Sequence, residues 1–165
     1  MDAKQKQTAF IKAYLKPTLK QFGYSTNSQT WWKTRDDFHI VINLQNFSWN
    51  SKDEVNFSFN IGIALKATTK DNSKPSYHDL NILMGQNGYL PINRFVHDYH
   101  NKTGYIIKTG SDLAKFINEF QIDFEQNILP TLDDLNTLED CINYYQTIPF
   151  WGESLRQQIT DLGLR

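Results

Sequence analysis

The alternation over residues 55–65 constrains this chain more than any other feature. Val55, Phe57, Phe59, Ile61, Ile63 and Leu65 interleave with Asn56, Ser58, Asn60, Gly62 and Ala64. Six apolar positions at a period of two predict a strand with one buried face. Two neighbouring stretches extend the pattern. Thr30 to Arg35 and Phe38 to Trp49 are also strand-like, and Asp36-Asp37 between them makes a two-residue turn. Asn50 to Asp53 makes a polar four-residue turn before the third strand.

Turn lengths fix a register. If Arg35 pairs with Phe38, Trp31 lies opposite Ile42; if Trp49 pairs with Glu54, Leu44 lies opposite Phe59. Trp31, Phe38, Ile40, Ile42, Leu44, Val55, Phe57, Phe59, Ile61 and Ile63 then share one face. A slip of one residue would scatter them. The expected centre is therefore an antiparallel meander. Short strands at Pro91–His97 and Tyr105–Thr109 bring it to about five, and residues 77–89 fit either a strand pair or a short helix.

Helices flank the strands. Ile11, Leu15, Thr18, Leu19 and Phe22 form a stripe at helical spacing, widened by Phe10 and Tyr14. Pro17 is expected to kink this helix and Gly23 to end it. Leu113, Phe116, Ile117, Phe120, Phe124 and Ile128 form a second stripe up to Pro130. Shorter helices are expected near 132–136, 138–147 and 153–162. Thr109 with Asp112, Thr131 with Asp134 and Thr137 with Asp140 have capping-box spacing. The fold class is α+β, and the 165 residues suit a single domain, 1–165.

Several chemistries find no signature. There is no phosphate-binding glycine loop, no nucleophile elbow and too few cysteines for a zinc finger. His97-Asp98-Tyr99-His100 sits in a polar connection with no placed third ligand, so no metal and no cofactor are expected. Cys141 is expected to be packed and inert, and a lone cysteine fits a reducing, cytoplasmic setting. The polar start Met1–Lys6 does not read as a secretory leader, and no apolar run is long enough to span a membrane. Residues 1–109 carry 14 Lys/Arg against 8 Asp/Glu, and residues 110–165 carry 3 against 10. The acidic last third reads either as solvated helix surface or as a patch for a basic partner. The basic excess sits mostly on the first helix and lacks any nucleic-acid motif, so nucleic-acid binding is not expected.

The register leaves a second, polar sheet face with Thr30, Trp32, Thr34, His39, Val41, Asn43, Gln45, Phe47, Asn56, Ser58 and Asn60. Asn43 faces Asn60, and Gln45 faces Ser58. Strands disfavour Asn, so opposed amides need a reason. They either serve a covering segment or recognise something, with Trp32 and Phe47 as rigid rings beside them.

One resemblance adds to this. Phe22-Gly23-Tyr24 after the first helix, Trp31-Trp32, Val41-Ile42-Asn43-Leu44-Gln45 and Phe59-Asn60-Ile61-Gly62, with Asn93-Arg94-Phe95 later, resemble bacterial proteins grouped as domain-of-unknown-function family 4304. The likeness covers about residues 8–147, leaving a short helical extension, and departs at Tyr105-Ile106-Ile107, where tryptophan would be usual. It implies a fold and a bacterial origin but no activity, and it draws attention to Asn43, Gln45, Asn60 and Arg94. Two functions stay open. One is a non-enzymatic, immunity-type protein that blocks a protein partner. The other is a small-molecule binder or enzyme whose site is built from His39, Asn43, Gln45, Asn60 and Arg94.

Overall fold

A computed structural model of the protein describes residues 1–83, 100–101, 104–146 and 149–164. The chain opens with a helical run in three parts: α1 (Ala3–Phe10), a π-helical turn (Ile11–Leu15) and α2 (Lys16–Gln21). Asp2 starts it. Its carboxylate accepts from the Gln5 amide N–H, and the Gln5 side chain accepts from the Asp2 N–H in return.

Pro17 shapes the middle of this run. Proline has no N–H to give, and its ring crowds the carbonyl four residues back. A π turn absorbs the misfit, with the Lys16 N–H reaching the Ile11 carbonyl five residues earlier. That turn holds one extra residue, so the buried stripe shifts. It runs Ala3, Gln7 and Phe10 before the turn, Tyr14 and Leu15 within it, and Leu19 after it. Ile11, Thr18 and Phe22, expected on the stripe, are only half-buried for this reason. Gly23 ends the run at φ +88°.

Seven antiparallel strands follow among the described residues: β1 (Ser25–Asn27), β2 (Thr30–Thr34), β3 (Phe38–Asn46), β4 (Glu54–Leu65), β5 (Ile82–Leu83), β6 (His100–Asn101) and β7 (Gly104–Lys108). Their order is β1-β2-β3-β4-β7-β6. The free side of β4 is shared, with β7 on Glu54–Phe57 and β5 on Gly62–Ile63. The expected register holds: Trp31 faces Ile42, Leu44 faces Phe59, Asn43 faces Asn60 and Gln45 faces Ser58.

Strand β3 is shorter than expected and stops at Asn46 instead of Trp49. Asn50 is the cause. Its side chain accepts from the Asn56 N–H at 2.7 Å and donates to the Asn56 carbonyl at 2.8 Å. An amide side chain thus takes the place of a strand partner, and residues 47–53 leave the sheet as a latched loop. Strand β1 had no pattern to announce it, being three exposed polar residues held by main-chain pairing to β2.

The second half is helical: α3 (Leu113–Asp123), a second π turn (Phe124–Ile128), α4 (Leu129–Asp133), α5 (Leu138–Tyr145) and α6 (Pro149–Asp161). Of the three expected capping boxes, Thr137–Asp140 forms. At α3 the cap is Asp112 itself, and Thr109 bonds the Lys52 and Asp53 carbonyls instead. Thr131 lies inside α4 and donates to the Asn127 carbonyl. The second π turn again precedes a proline, Pro130, and the Leu129 N–H reaches the Phe124 carbonyl.

The core lies between one sheet face and the helices. Phe10 meets Phe116 and Phe120 edge-on at 5.2 and 5.0 Å, and Tyr105 stacks on Phe57 at 5.6 Å. Offset and edge contacts of this kind hold rings rigidly. Lys33 ties β2 to the helices by an ion pair to Asp133 at 2.8 Å, and Arg35 donates to the carbonyls of Asp133, the last residue of α4, and of Leu135 just past it. Cations suit that end of a helix. No helix among the described residues is long and apolar enough to cross a membrane.

Candidate functional site

The opposite sheet face is built by β2, β3 and β4. At its centre Asn43 and Asn60 face each other, as the register requires. The Asn60 amide donates to the Asn43 side-chain oxygen at 3.1 Å and to the Gln45 side-chain oxygen at 2.8 Å. The Asn43 amide donates in turn to the Thr30 hydroxyl at 3.0 Å and the Gln29 carbonyl at 3.3 Å. Four polar side chains on three strands therefore form one chain of hydrogen bonds. Asn43 is 8% exposed, and its satisfied amide avoids the cost of a buried orphan group. Burial falls off along the chain: Asn60 is half-buried and Gln45 is exposed.

His39 stands apart from this network. It is 1% exposed. Its Nδ1 lies 2.9 Å from the Thr34 hydroxyl and its Nε2 2.9 Å from the Asn72 side-chain oxygen. Nε2 thus fastens the 66–81 loop to the sheet, while Nδ1 ties β3 to Thr34 of β2. Trp32, paired with Val41, is half-buried. The structure brings Asn43, Gln45 and Asn60 together, places Trp32 and His39 on neighbouring rungs, and leaves Arg94 outside the described residues. His97 and the ring of His100 also lie outside them. Among the described residues, no group of three or more His, Cys, Asp and Glu side chains is placed to hold a metal ion.

Cys141 is buried on α5. Burial, reinforced by the Asp140 carboxylate, pushes its thiol up to about 12, against a smaller opposing effect of Arg35. A thiol held in that state is a poor nucleophile.

The sequence pointed away from one feature. Trp49, expected in a strand, is 64% exposed in the latched loop, stacked on Phe47 with ring centroids 4.8 Å apart. Its only sequence signal is the Phe47-Ser48-Trp49 spacing, which a strand and an aromatic stack share.

No curated protein and no solved structure matches the chain. A family model described as a domain of unknown function, DUF4304, matches residues 15–134, which take in the N-terminal helix from its π turn, the whole β2–β4 meander and the helices through α4, and the chain belongs to that family.

Proposed function

We propose that the protein is a non-enzymatic binding domain of immunity type, which docks on a partner protein in the bacterial cytoplasm through the polar face of its sheet. In this reading residues 1–165 act as one unit, no cofactor takes part, and neither nucleic acid nor membrane is the target. The observation that carries it is the hydrogen-bonded chain Thr30–Asn43–Asn60–Gln45, which opens to solvent at Gln45. Its side chains are already ordered, so binding through Gln45 and Asn60 loses little further conformational entropy. Amides beside the half-buried Trp32 suit recognition of main-chain and side-chain amides on another protein. Among the described residues of this face the imidazole, His39, is sealed and doubly bonded, and the carboxylate at its edge, Glu54, is held by Asn56 and Lys108.

Affinity capture from native lysate tests the reading, with the wild type and Gln45→Arg compared at equal folded concentration. A stoichiometric protein partner held by the wild type and lost from the variant is the expected result. No partner, or equal capture by both, overturns it.

A further inference from the structure

A second surface adjoins the amide face at the end of the sheet, where Gln29, whose carbonyl accepts from Asn43, is on its lining. A groove of about 450 Å³ runs between α1 and the latched 47–53 loop. Gln7 and Lys4 form one wall, Phe47 and Asn46 the other, and Gln29 of the β1–β2 turn closes one side.

Three properties set it apart from ordinary loop surface. First, the loop is fixed. Asn50 grips both main-chain groups of Asn56, Phe47 donates to the Asn56 carbonyl at 3.1 Å, and Gln7 donates to the Asn46 side-chain oxygen at 2.6 Å. Second, this fixed loop exposes Trp49 and stacks it on Phe47, which lines the groove. A rigid exposed tryptophan is a binding anchor held in place before its partner arrives. Third, the charge is of one sign. Lys4 is the charged residue on the groove lining. The helical run behind it, residues 3–21, holds Lys4, Lys6, Lys12, Lys16 and Lys20 and no carboxylate. The loop also carries Lys52 and Asp53, but neither is on the lining, while Asp2 caps the helix and Glu54 accepts from Asn56.

We infer that this groove is the docking site for an extended, acidic, proline-bearing segment of a partner protein. The inference rests on the protein-binding reading above and adds to the amide face a second contact with the same partner and the kind of segment it grips. A proline ring lies flat on the Trp49–Phe47 shelf, an acidic side chain meets Lys4, and the amides of Gln29 and Asn46 address the segment's carbonyls. Proline-rich segments are extended before binding and dock on aromatic-lined grooves for that reason. Lys4, the charged residue of the lining, favours a carboxylate over a neutral side chain at that point.

The test titrates the full-length, isotope-labelled protein with a capped peptide of four Glu-Pro-Pro repeats, read at the Trp49 indole N–H and the Asn46 side-chain amide. A Gln-Pro-Pro peptide of equal length, a single-stranded oligonucleotide and dilution of the protein alone are run beside it. The expected result is saturable shifts confined to the groove, with affinity about tenfold weaker for Trp49→Ala, for Lys4→Glu and for the Gln-Pro-Pro peptide. Both substituted residues are on the surface, so loss of folding does not confuse the result. Absence of shifts, shifts centred elsewhere, or equal affinity in Trp49→Ala overturns the inference. So do the same shifts with the oligonucleotide, or on concentrating the protein alone, which would assign the groove to a nucleic acid or a second copy. A partner captured equally by the wild type and Trp49→Ala, but lost from Gln45→Arg, overturns the groove and leaves the protein-binding reading standing.

Discussion

The Tyr14 hydroxyl donates to the Glu125 carboxylate at 2.8 Å, and the two residues sit in the two π turns of the chain, 111 positions apart. Each of those turns is followed, after one residue, by a proline: Lys16-Pro17 and Leu129-Pro130. The wide turns that relieve the prolines thus meet face to face and are pinned by one charge-assisted hydrogen bond. Burial, and then Glu125 itself, raise the Tyr14 pKa and keep the phenol a donor. Tyr14→Phe is expected to cost about 1.5–2 kcal/mol of stability, since the carboxylate loses its partner in a half-buried setting. Glu125→Gln keeps an acceptor oxygen and should cost less. Urea unfolding of both variants and their double, followed by circular dichroism, checks this; strictly additive losses would mean the two groups are not coupled.

Gly62 lets β5 approach β4. A Cβ built at Gly62 falls 2.0 Å from the Ile82 carbonyl oxygen, and that oxygen is main chain, unable to swing aside. Gly62→Ala must therefore push β5 off the sheet and should cost about 1–3 kcal/mol. Gly110→Ala is the matching control, because a Cβ there meets nothing within 4 Å. Its midpoint of thermal unfolding should stay near that of the wild type.

The amide pair at the sheet centre separates stability from recognition. Asn43→Ala strips the Asn60 amide of one acceptor and leaves Thr30 without its donor, at an expected cost of about 1–3 kcal/mol. Asn43→Val with Asn60→Val removes both polar partners together and supplies strand-forming side chains, so most of that loss should return. If the face recognises a partner protein, the double variant is stable and fails to bind. Unfolding midpoints and capture experiments on the same preparations settle both halves. A double variant that unfolds at the summed cost of its parts would show that the network does more than satisfy itself.

The β2–β4 meander was legible because its information is local. Alternation marks the faces, two short turns fix the offsets, and together they placed Asn43 opposite Asn60. What stayed hidden depends on groups far apart or on irregular backbone. Pro17 signalled a disturbance, but a kink and a π turn leave the same mark; the π turn centres the buried stripe on Phe10, Tyr14, Leu15 and Leu19 and leaves Ile11 and Thr18 half-buried at its edge. Phe47 and Trp49 keep a spacing of two but fall in the opposite phase to Phe38, Ile40, Ile42 and Leu44, a break at Asn46 that marks the strand's end. Trp49 left the sheet because Asn50, read as a plain turn residue, binds Asn56 in place of a strand. His39 is a candidate by its chemistry alone, and the Asn72 that bonds its ring lies in a loop with no pattern of its own. Lys33 and Asp133, 100 positions apart, had no sequence signal linking them.

The buried thiol and phenols make the alkaline limb of stability predictable. Cys141 is pushed from an ordinary value of 9.0 to about 12, chiefly by burial and then by Asp140. Tyr24 and Tyr145 are also raised, chiefly by burial, with the Asp133 charge adding at Tyr24. In each case the fold favours the protonated, neutral form. The stability this contributes is fully present below the ordinary pKa and is lost as pH rises towards the folded value. The loss should therefore begin near pH 9 with Cys141 and deepen above pH 10 as the tyrosines join. Urea midpoints measured from pH 7 to 11 should stay flat as far as these groups are concerned and then fall. The same burial predicts that a thiol reagent at pH 8 labels Cys141 only as fast as the protein opens, with full reactivity returning in urea. Rapid labelling of the folded protein would mean that the thiol reaches solvent without unfolding, and the alkaline fall would then have to come from the tyrosines alone.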